Sequence, residues 1–414
     1  ADMTILWGAN PAYSHPPFMQ RINKARRRGA KLIAVDPRFT NAAKKADLFL
    51  QLRPGTDAAL AFGLMRHLIR EKAYDRDFVA SYSRGFDELA AYSETFTTAY
   101  VAQETGVPEK AIDKMRRMVL QSLPRCVSFP GISLEHQVNS FNTIRTISSL
   151  SALCGAVDIE GGEPWNKEIW VNDLNPLGIE QFKALNPAGY DSFPLFYELI
   201  GKCHSIPGLD YMLGKGDYPI KGLIFAGTNP VLTNPNSKKV SEAFTRLDLL
   251  VARDLFMTES AKLAHYVIPA ASFLERSELH FFPEVQRVGL SRKILDVEGV
   301  WDEYTFWHDL AHRLGIGDAC FPWENEAAVN RWLLEPSGIV LEDLAERPEG
   351  ILYEPDIEHR KFESRPFPTP SGKFEFASEG LRALGCQTRP VYEPPEYLTA
   401  LTPDNYRQGT VDSA

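Results

Sequence analysis

Two short stretches carry the residue types that could grip a phosphorylated ligand. Gly8-Ala9-Asn10-Pro11 follows the apolar run Thr4-Ile5-Leu6, and Gly227-Thr228-Asn229-Pro230 follows Gly222-Leu223-Ile224-Phe225. A strand that ends in a turn and opens a helix presents unpaired backbone N–H groups, which with the helix dipole attract phosphate. Gly8 and Gly227 permit close backbone approach, and the Asn10 and Asn229 side chains can bridge turn and ligand. By itself a Gly-x-Asn-Pro turn is common strand punctuation.

The longer comparison makes it a repeat. Asp36 lies 26 residues beyond Asn10 and Asp254 lies 25 beyond Asn229. From there the copies run in step: Thr40 falls on Thr258, Ala43 on Ala261 and Ala46 on Ala264. Each copy reads as strand, turn, helix, strand ending in Asp, Thr-x-x-Ala-x-x-Ala short helix, then another strand. The period is too long for a solenoid. It reads as a duplicated βαβ half-domain, or more sharply as two equivalent ligand sites.

Asp36 and Asp254 stand at the C-terminal edge of the sheet, where open α/β sheets bind ligands. A carboxylate there can accept from the N1–H and N2–H of a guanine or hold a ribose diol, and Arg38, on the same side of an extended strand end, can stack on a base. The other reading is that each Asp caps the turn after it. In Leu52-Arg53-Pro54-Gly55-Thr56-Asp57, Gly55 breaks a strand and Thr56 or Asp57 caps the helix Ala58-Ala59-Leu60-Ala61-Phe62 that follows, which explains both residues without a ligand. A nicotinamide fingerprint needs G-x-G-x-x-G after the strand, and neither copy has it.

The surrounding chain bounds these readings. Hydrophobic residues make up 44% of the 414, enough for buried cores, and the length suits two or three domains. The net charge of −9 argues against a nucleic-acid partner, and Lys24 to Arg28 reads as a solvated helix end. No apolar stretch approaches the ~18 residues of a membrane span. Five cysteines (Cys126, Cys154, Cys203, Cys320, Cys386) show no C-x-x-C pair, so neither a metal cluster nor a disulfide framework is expected. The chain enters a strand almost at once, with no signal peptide, and reads as a cut made beside that strand; the compartment stays open.

The fold expected is α/β, two doubly wound Rossmann-like αβα units related by the internal repeat, with mainly parallel sheets. The first unit covers 1–160, loops and a linker 161–219, the second unit 220–345, and a linker with the start of a further domain 346–414.

Together, Ile5-Leu6-Trp7-Gly8-Ala9-Asn10-Pro11, the stretch from Lys31 to Leu64, the stretch from Gly131 to Gly162, the second turn, Ala252 to Glu275 and Thr369-Pro-Ser-Gly-Lys-Phe-Glu-Phe376 resemble the successive motifs of the molybdopterin oxidoreductases of the dimethyl sulfoxide reductase family, in family order and over nearly the whole chain. The resemblance implies a bis(molybdopterin guanine dinucleotide) cofactor with molybdenum or tungsten. By motif, Gly8, Asn10, Asp36, Arg38, Gly55 and Asp57 correspond to the site for one guanosine diphosphate end, and Gly227, Asn229, Asp254 and Thr258 to the other. His136 matches a family position near the cofactor, beside the alternative of a buried structural histidine. A small-molecule substrate, an iron–sulfur electron-transfer subunit and a membrane-anchor subunit are implied as partners.

The chain departs from the family at several points. His265 stands where the family has an Asp, present in the first copy as Asp47. The N-terminal cysteine cluster for an iron–sulfur centre, the side chain that ligates the metal and the C-terminal barrel-like domain are not recognisable. The expectation is therefore a central portion without turnover of its own. Two other readings remain: a cofactorless scaffold relative, such as the large iron–sulfur subunit of respiratory complex I, and a thiamine- or nicotinamide-dependent enzyme sharing only the sheet architecture.

Overall fold

The computed structural model describes residues 1–165, 169–174, 187–202, 204–282, 285–353 and 358–396; Cys203 and the polar C-terminal tail lie outside them. The chain divides into two compact units, Ala1–Trp165 with the segment from Glu358 onward, and Asn166–Ile357.

In the first unit, β1 (Met3–Trp7), β2 (Lys31–Val35), β3 (Leu48–Leu50) and β5 (Cys126–Pro130) form a parallel sheet in the order β3-β2-β1-β5; the short β4 (Ser83–Arg84) lies apart from it. Alternation along β1 sends its side chains to both faces. Met3, Ile5 and Trp7 join the large core with α3 (Asp57–Arg70) and α8 (Ser140–Leu153), while Leu6 meets Met19 and Ile22 of α2 (Pro16–Arg27) on the opposite face. The sheet is thus doubly wound, as expected. Between β3 and β5 the chain is mostly helical, through α4 (Arg76–Tyr82), α5 (Phe86–Ser93), α6 (Thr98–Thr105) and α7 (Glu109–Ser122).

The second unit repeats the pattern with a smaller parallel sheet, β6 (Gly222–Ala226), β7 (Leu249–Asp254) and β8 (Tyr266–Pro269), in the order β6-β7-β8. The helix Ser205–Met212 belongs to this unit, since Leu209 sits in the core with Phe225, Val240 and Leu250. Here the structure adds what periodicity did not suggest: an antiparallel sheet of β9 (Glu278–Phe282), β10 (Arg287–Ser291) and β11 (Ile351–Leu352), ordered β11-β10-β9.

The chain from Glu358 packs on the first unit. β12 (Phe374–Glu375) pairs in parallel with β4, and Phe362, Phe367 and Phe374 surround Phe78 of α4. Lys361 is the polar pin of this return. Its Nζ meets Asp158 Oδ1 at 2.7 Å and its backbone N–H donates to Asp158 Oδ2 at 2.7 Å, with both side chains buried.

The repeat extends to single hydrogen bonds. Gly8 N–H donates to Val35 O at 2.8 Å and Gly227 N–H to Arg253 O at 2.9 Å. Leu32 N–H donates to Asp47 Oδ2 and Leu250 N–H to His265 Nδ1, each at 2.8 Å. The carboxylate missing from the second copy is therefore replaced by an imidazole nitrogen that accepts the same bond, which requires the proton to sit on Nε2. His265→Ala is expected to cost about 1 kcal/mol of stability through the orphaned Leu250 N–H, with His265→Asp retaining most of it; urea denaturation of the two variants checks this.

Candidate functional site

The first Gly-Asn-Pro turn leaves β1 with Gly8 at φ +56°, in the left-handed region. A Cβ on Gly8 would lie 2.2 Å from Ser133 Oγ, which instead donates to Gly8 O at 2.7 Å. Glycine is thus required by conformation and by a close approach from a loop 125 residues away. After the turn comes a single four-residue helix, α1 (Pro11–Ser14), before the chain restarts at Pro16. The dipole contribution expected from a long helix is correspondingly small.

Asp36 follows β2 directly. The chain bends there, so Arg38 does not continue an extended strand. Its backbone N–H donates to Asp36 Oδ1 at 2.8 Å, and Asp254 Oδ1 takes the equivalent bond from Phe256 N–H at 3.1 Å. Each Asp therefore caps its turn with one oxygen. Among the described residues Oδ2 of each has no hydrogen-bond donor, so the capping role leaves an acceptor for a ligand. Asn10 Oδ1 accepts from Ala42 N–H at 3.2 Å, and Asn229 Oδ1 from Ser260 N–H at 3.1 Å. The Asn carbonyl thus ties the turn to the loop after the second strand, leaving the amide NH₂ to face outward bonding. Thr40 and Thr258 accept from Ala43 N–H and Ala261 N–H, at 3.2 and 3.1 Å.

These residues surround a cavity of about 730 Å³ at the edge of the first sheet. It gathers Gly8, Asn10, Asp36 and Arg38 as expected, together with Tyr13, Phe39, Thr40 and Ser133. Tyr13 and Phe39 are largely exposed aromatic rings on its walls. The Arg38 side chain is exposed and forms no ion pair among the described residues. Burial raises the Asp36 carboxyl above its usual range, opposed by the Arg38 N–H and the Arg38 charge.

Gly55 and Asp57 do not line that cavity. Gly55 turns the chain at φ +82°, and Thr56 sits at the cap position of α3 without capping it: its hydroxyl donates back to Arg53 O at 2.7 Å. Asp57 is buried at the first position of α3. Burial pushes its carboxyl up to about 7; its own backbone N–H lowers it, the nearby Asp36 charge raises it and the Gln137 side chain lowers it. Because the folded value stands above the unfolded 3.8, the native state holds this proton longer, and the group's contribution to stability falls as pH rises from about 4 to about 7. Asp57→Asn is expected to be more stable than the parent above about pH 7 and no different near pH 4; denaturant midpoints at the two pH values measure it.

His136 is exposed, in the loop after Ser133, outside the cavity lining. The buried structural alternative does not hold, because the loop projects its side chain into solvent. In the second unit, Gly227 adopts φ +58° with no atom within 4 Å of a Cβ built on it, and Leu232, Phe256 and Met257 are exposed. This half-site has the same backbone but less polar walls: Leu232 and Phe256 stand where the first has Tyr13 and Arg38.

The residues fit a nucleotide end. Gly8 makes room where a Cβ would collide with Ser133, and Asp36 and Asp254 each keep one carboxylate oxygen without a donor among the described residues. A family model described as molybdopterin oxidoreductase matches residues 1–289.

The chain belongs to the molybdopterin oxidoreductase family.

It is 29% identical to acetylene hydratase of Syntrophotalea acetylenica over 406 residues, covering 90% of this chain and 54% of that protein. It is 28% identical to the probable oxidoreductase YoaE of Bacillus subtilis (strain 168), over 94% of this chain and 56% of that protein. Formate dehydrogenase H of Escherichia coli (strain K12) is 29% identical over 76% of this chain and 45% of its own length. The solved structure of acetylene hydratase from Pelobacter acetylenicus superposes with a TM-score of 0.80 at 25% identity, over 99% of this chain and 59% of the other. The chain spans about half the length of the curated relatives it matches. Membership implies a molybdopterin cofactor with molybdenum or tungsten. No described helix is long and apolar enough to cross a membrane.

Proposed function

We propose that this chain is the nucleotide-gripping portion of a molybdenum or tungsten oxidoreductase whose cofactor is the bis(molybdopterin guanine dinucleotide) form. The observation that carries the reading is the matched pair of half-sites, each with a left-handed Gly, an Asn tied to the loop beyond the second strand, and an Asp that caps its turn with one oxygen while keeping the other for a ligand. Two such sites suit a cofactor with two guanosine diphosphate ends.

In the first, Asp36 Oδ2 accepts from the guanine edge or ribose, Arg38 and the Tyr13 and Phe39 rings pack on the base, and Gly8, Asn10 and Ser133 border the phosphates. Gly55 and Asp57 support this site from behind. Asp57, protonated at neutral pH in part, limits the negative charge beside Asp36. In the second, Gly227, Asn229, Asp254 and Thr258 have the corresponding parts. His136, exposed in the loop after Ser133 of the first unit, is a further residue offered to the cofactor. Bound, the cofactor's metal supplies oxygen-atom or electron transfer on a small substrate. The residues of this chain hold the cofactor's nucleotide ends.

The substrate is a small molecule; formate dehydrogenase alpha subunits among the relatives support assembly with further subunits, here proposed to be an iron–sulfur electron-transfer subunit and a membrane-anchor subunit. A cofactorless scaffold has no use for paired Asp residues with an open oxygen, so that reading is not favoured. Guanosine diphosphate is expected to bind the 414-residue chain at least about tenfold more tightly than cytidine diphosphate, since a charge-assisted hydrogen bond from guanine to Asp36 Oδ2 is worth about 1.5–3 kcal/mol; equal affinities in calorimetry would leave only a phosphate site.

A further inference from the structure

The second unit contains a cavity of about 670 Å³ that the cofactor reading does not use. It is enclosed by the helix Glu326–Leu334, the strand β9 and the aromatic residues around Tyr304. Phe281, Tyr304, Phe321 and Trp323 give it walls of π-faces, and the Tyr304 hydroxyl is committed to Trp323 O.

Its polar groups are unevenly satisfied. Glu303 also lines the cavity, but one oxygen accepts from Arg253 Nε at 3.1 Å and the other from Trp307 Nε1 at 3.2 Å. Glu278 is held by Arg276 at 3.0 Å. Glu326 has no ion pair among the described residues, and Asn330, four residues on and so on the same helix face, is only 9% exposed with no hydrogen bond to its amide among them. Its amide is not sealed inside the protein but lines the cavity, so a ligand donor there can meet Asn330 Oδ1. Burial raises the Glu326 carboxyl above its usual range, with Asp302 adding to the rise, while the Lys293 and Arg276 charges and the Ser277 backbone N–H oppose it.

We propose that this cavity is a binding site for a small organic ammonium with an aromatic or alkyl body. The ammonium donates to Glu326 and to Asn330 Oδ1, while its body packs among Phe281, Tyr304, Phe321 and Trp323, which also attract the positive charge through their faces. Among the described residues the charged side chains that line the cavity are the carboxylates Glu278, Glu303 and Glu326, which disfavours an anionic ligand such as a nucleotide.

The test is calorimetric titration of the 414-residue chain with 2-phenylethylammonium, its neutral counterpart 2-phenylethanol and guanosine diphosphate. The ammonium is expected to saturate with a Kd below about 1 mM, at least about tenfold tighter than the alcohol, and guanosine diphosphate is expected not to compete. Asn330→Leu and Glu326→Gln should each weaken it at least about fivefold without loss of the far-UV spectrum, and Val329→Trp should abolish it by filling the space. Asn330→Leu stands as the deciding variant if Glu326→Gln fails to fold. Absence of saturation up to about 10 mM, equal binding of amine and alcohol, or unchanged affinity in Asn330→Leu would overturn the assignment. Competition by guanosine diphosphate would place the ammonium elsewhere and overturn it as well.

Discussion

Lys361→Ala is expected to lower the unfolding free energy of the chain by about 3–5 kcal/mol, the scale of breaking a buried ion pair and stranding its partner. Asp158 is fully buried and its carboxylate is shared among Lys361 Nζ at 2.7 Å, Lys361 N–H at 2.7 Å and Trp165 N–H at 3.0 Å. Removing the ammonium leaves two backbone bonds and an uncompensated charge. Asp158 has φ +52°, a conformation that Asn tolerates, so Asp158→Asn removes the charge with little backbone strain. The double variant Asp158→Asn, Lys361→Met should therefore recover stability relative to Lys361→Ala. Denaturant unfolding of the three proteins decides it, and a loss below about 1 kcal/mol, the ceiling for a surface pair, would show that the segment from Glu358 is not pinned by this contact.

Gly8→Ala is expected to cost about 2–3 kcal/mol, with ~1–2 for left-handed backbone and ~1 for the Ser133 hydrogen bond that the new Cβ displaces. Gly227→Ala should cost only the first part, because open space surrounds its Cβ position. The difference between two sites of nearly identical φ isolates the close approach of Ser133. Equal costs would mean that Ser133 moves aside freely. Nucleotide binding at the first half-site should be lost in Gly8→Ala, since Ser133 lines the same cavity.

The parts of the site that could be read in the chain are those encoded within one βαβ unit. The turn, the Asp after the second strand and the Thr that caps the next short helix recur at fixed offsets, so two copies vouch for each other. Ser133 is brought to Gly8 from 125 residues away, and no local pattern signals such a contact. Tyr13 lies in the very stretch that drew attention, but a single aromatic after a turn carries no signal until a cavity forms beside it. The exchange of Asp47 for His265 looked like a lost carboxylate. In place it is a conserved acceptor geometry, because the strand needs only a lone pair at that point.

The fold shows the same division. Apolar runs and Gly-Pro punctuation marked β1, β2, β6 and β7 within the two copies of the repeat. β9, β10 and β11 mix charges and aromatics with apolar residues, and β11 is only two residues long, so pairing rather than pattern defines them. The return of the chain from Glu358 onto α4 depends on Phe362, Phe367 and Phe374 meeting Phe78, contacts between residues far apart in the sequence.

The claim that two equivalent half-sites grip guanine nucleotide ends is tested most directly by the stoichiometry of guanosine diphosphate binding to the parent chain, Asp36→Ala and Asp254→Ala, by calorimetry. The predicted result is two sites in the parent and one in each variant, the lost site weakened by about 1–3 kcal/mol or more as its charge-assisted bonds disappear. Two unaltered sites in both variants, or a single site indifferent to either Asp, would contradict it.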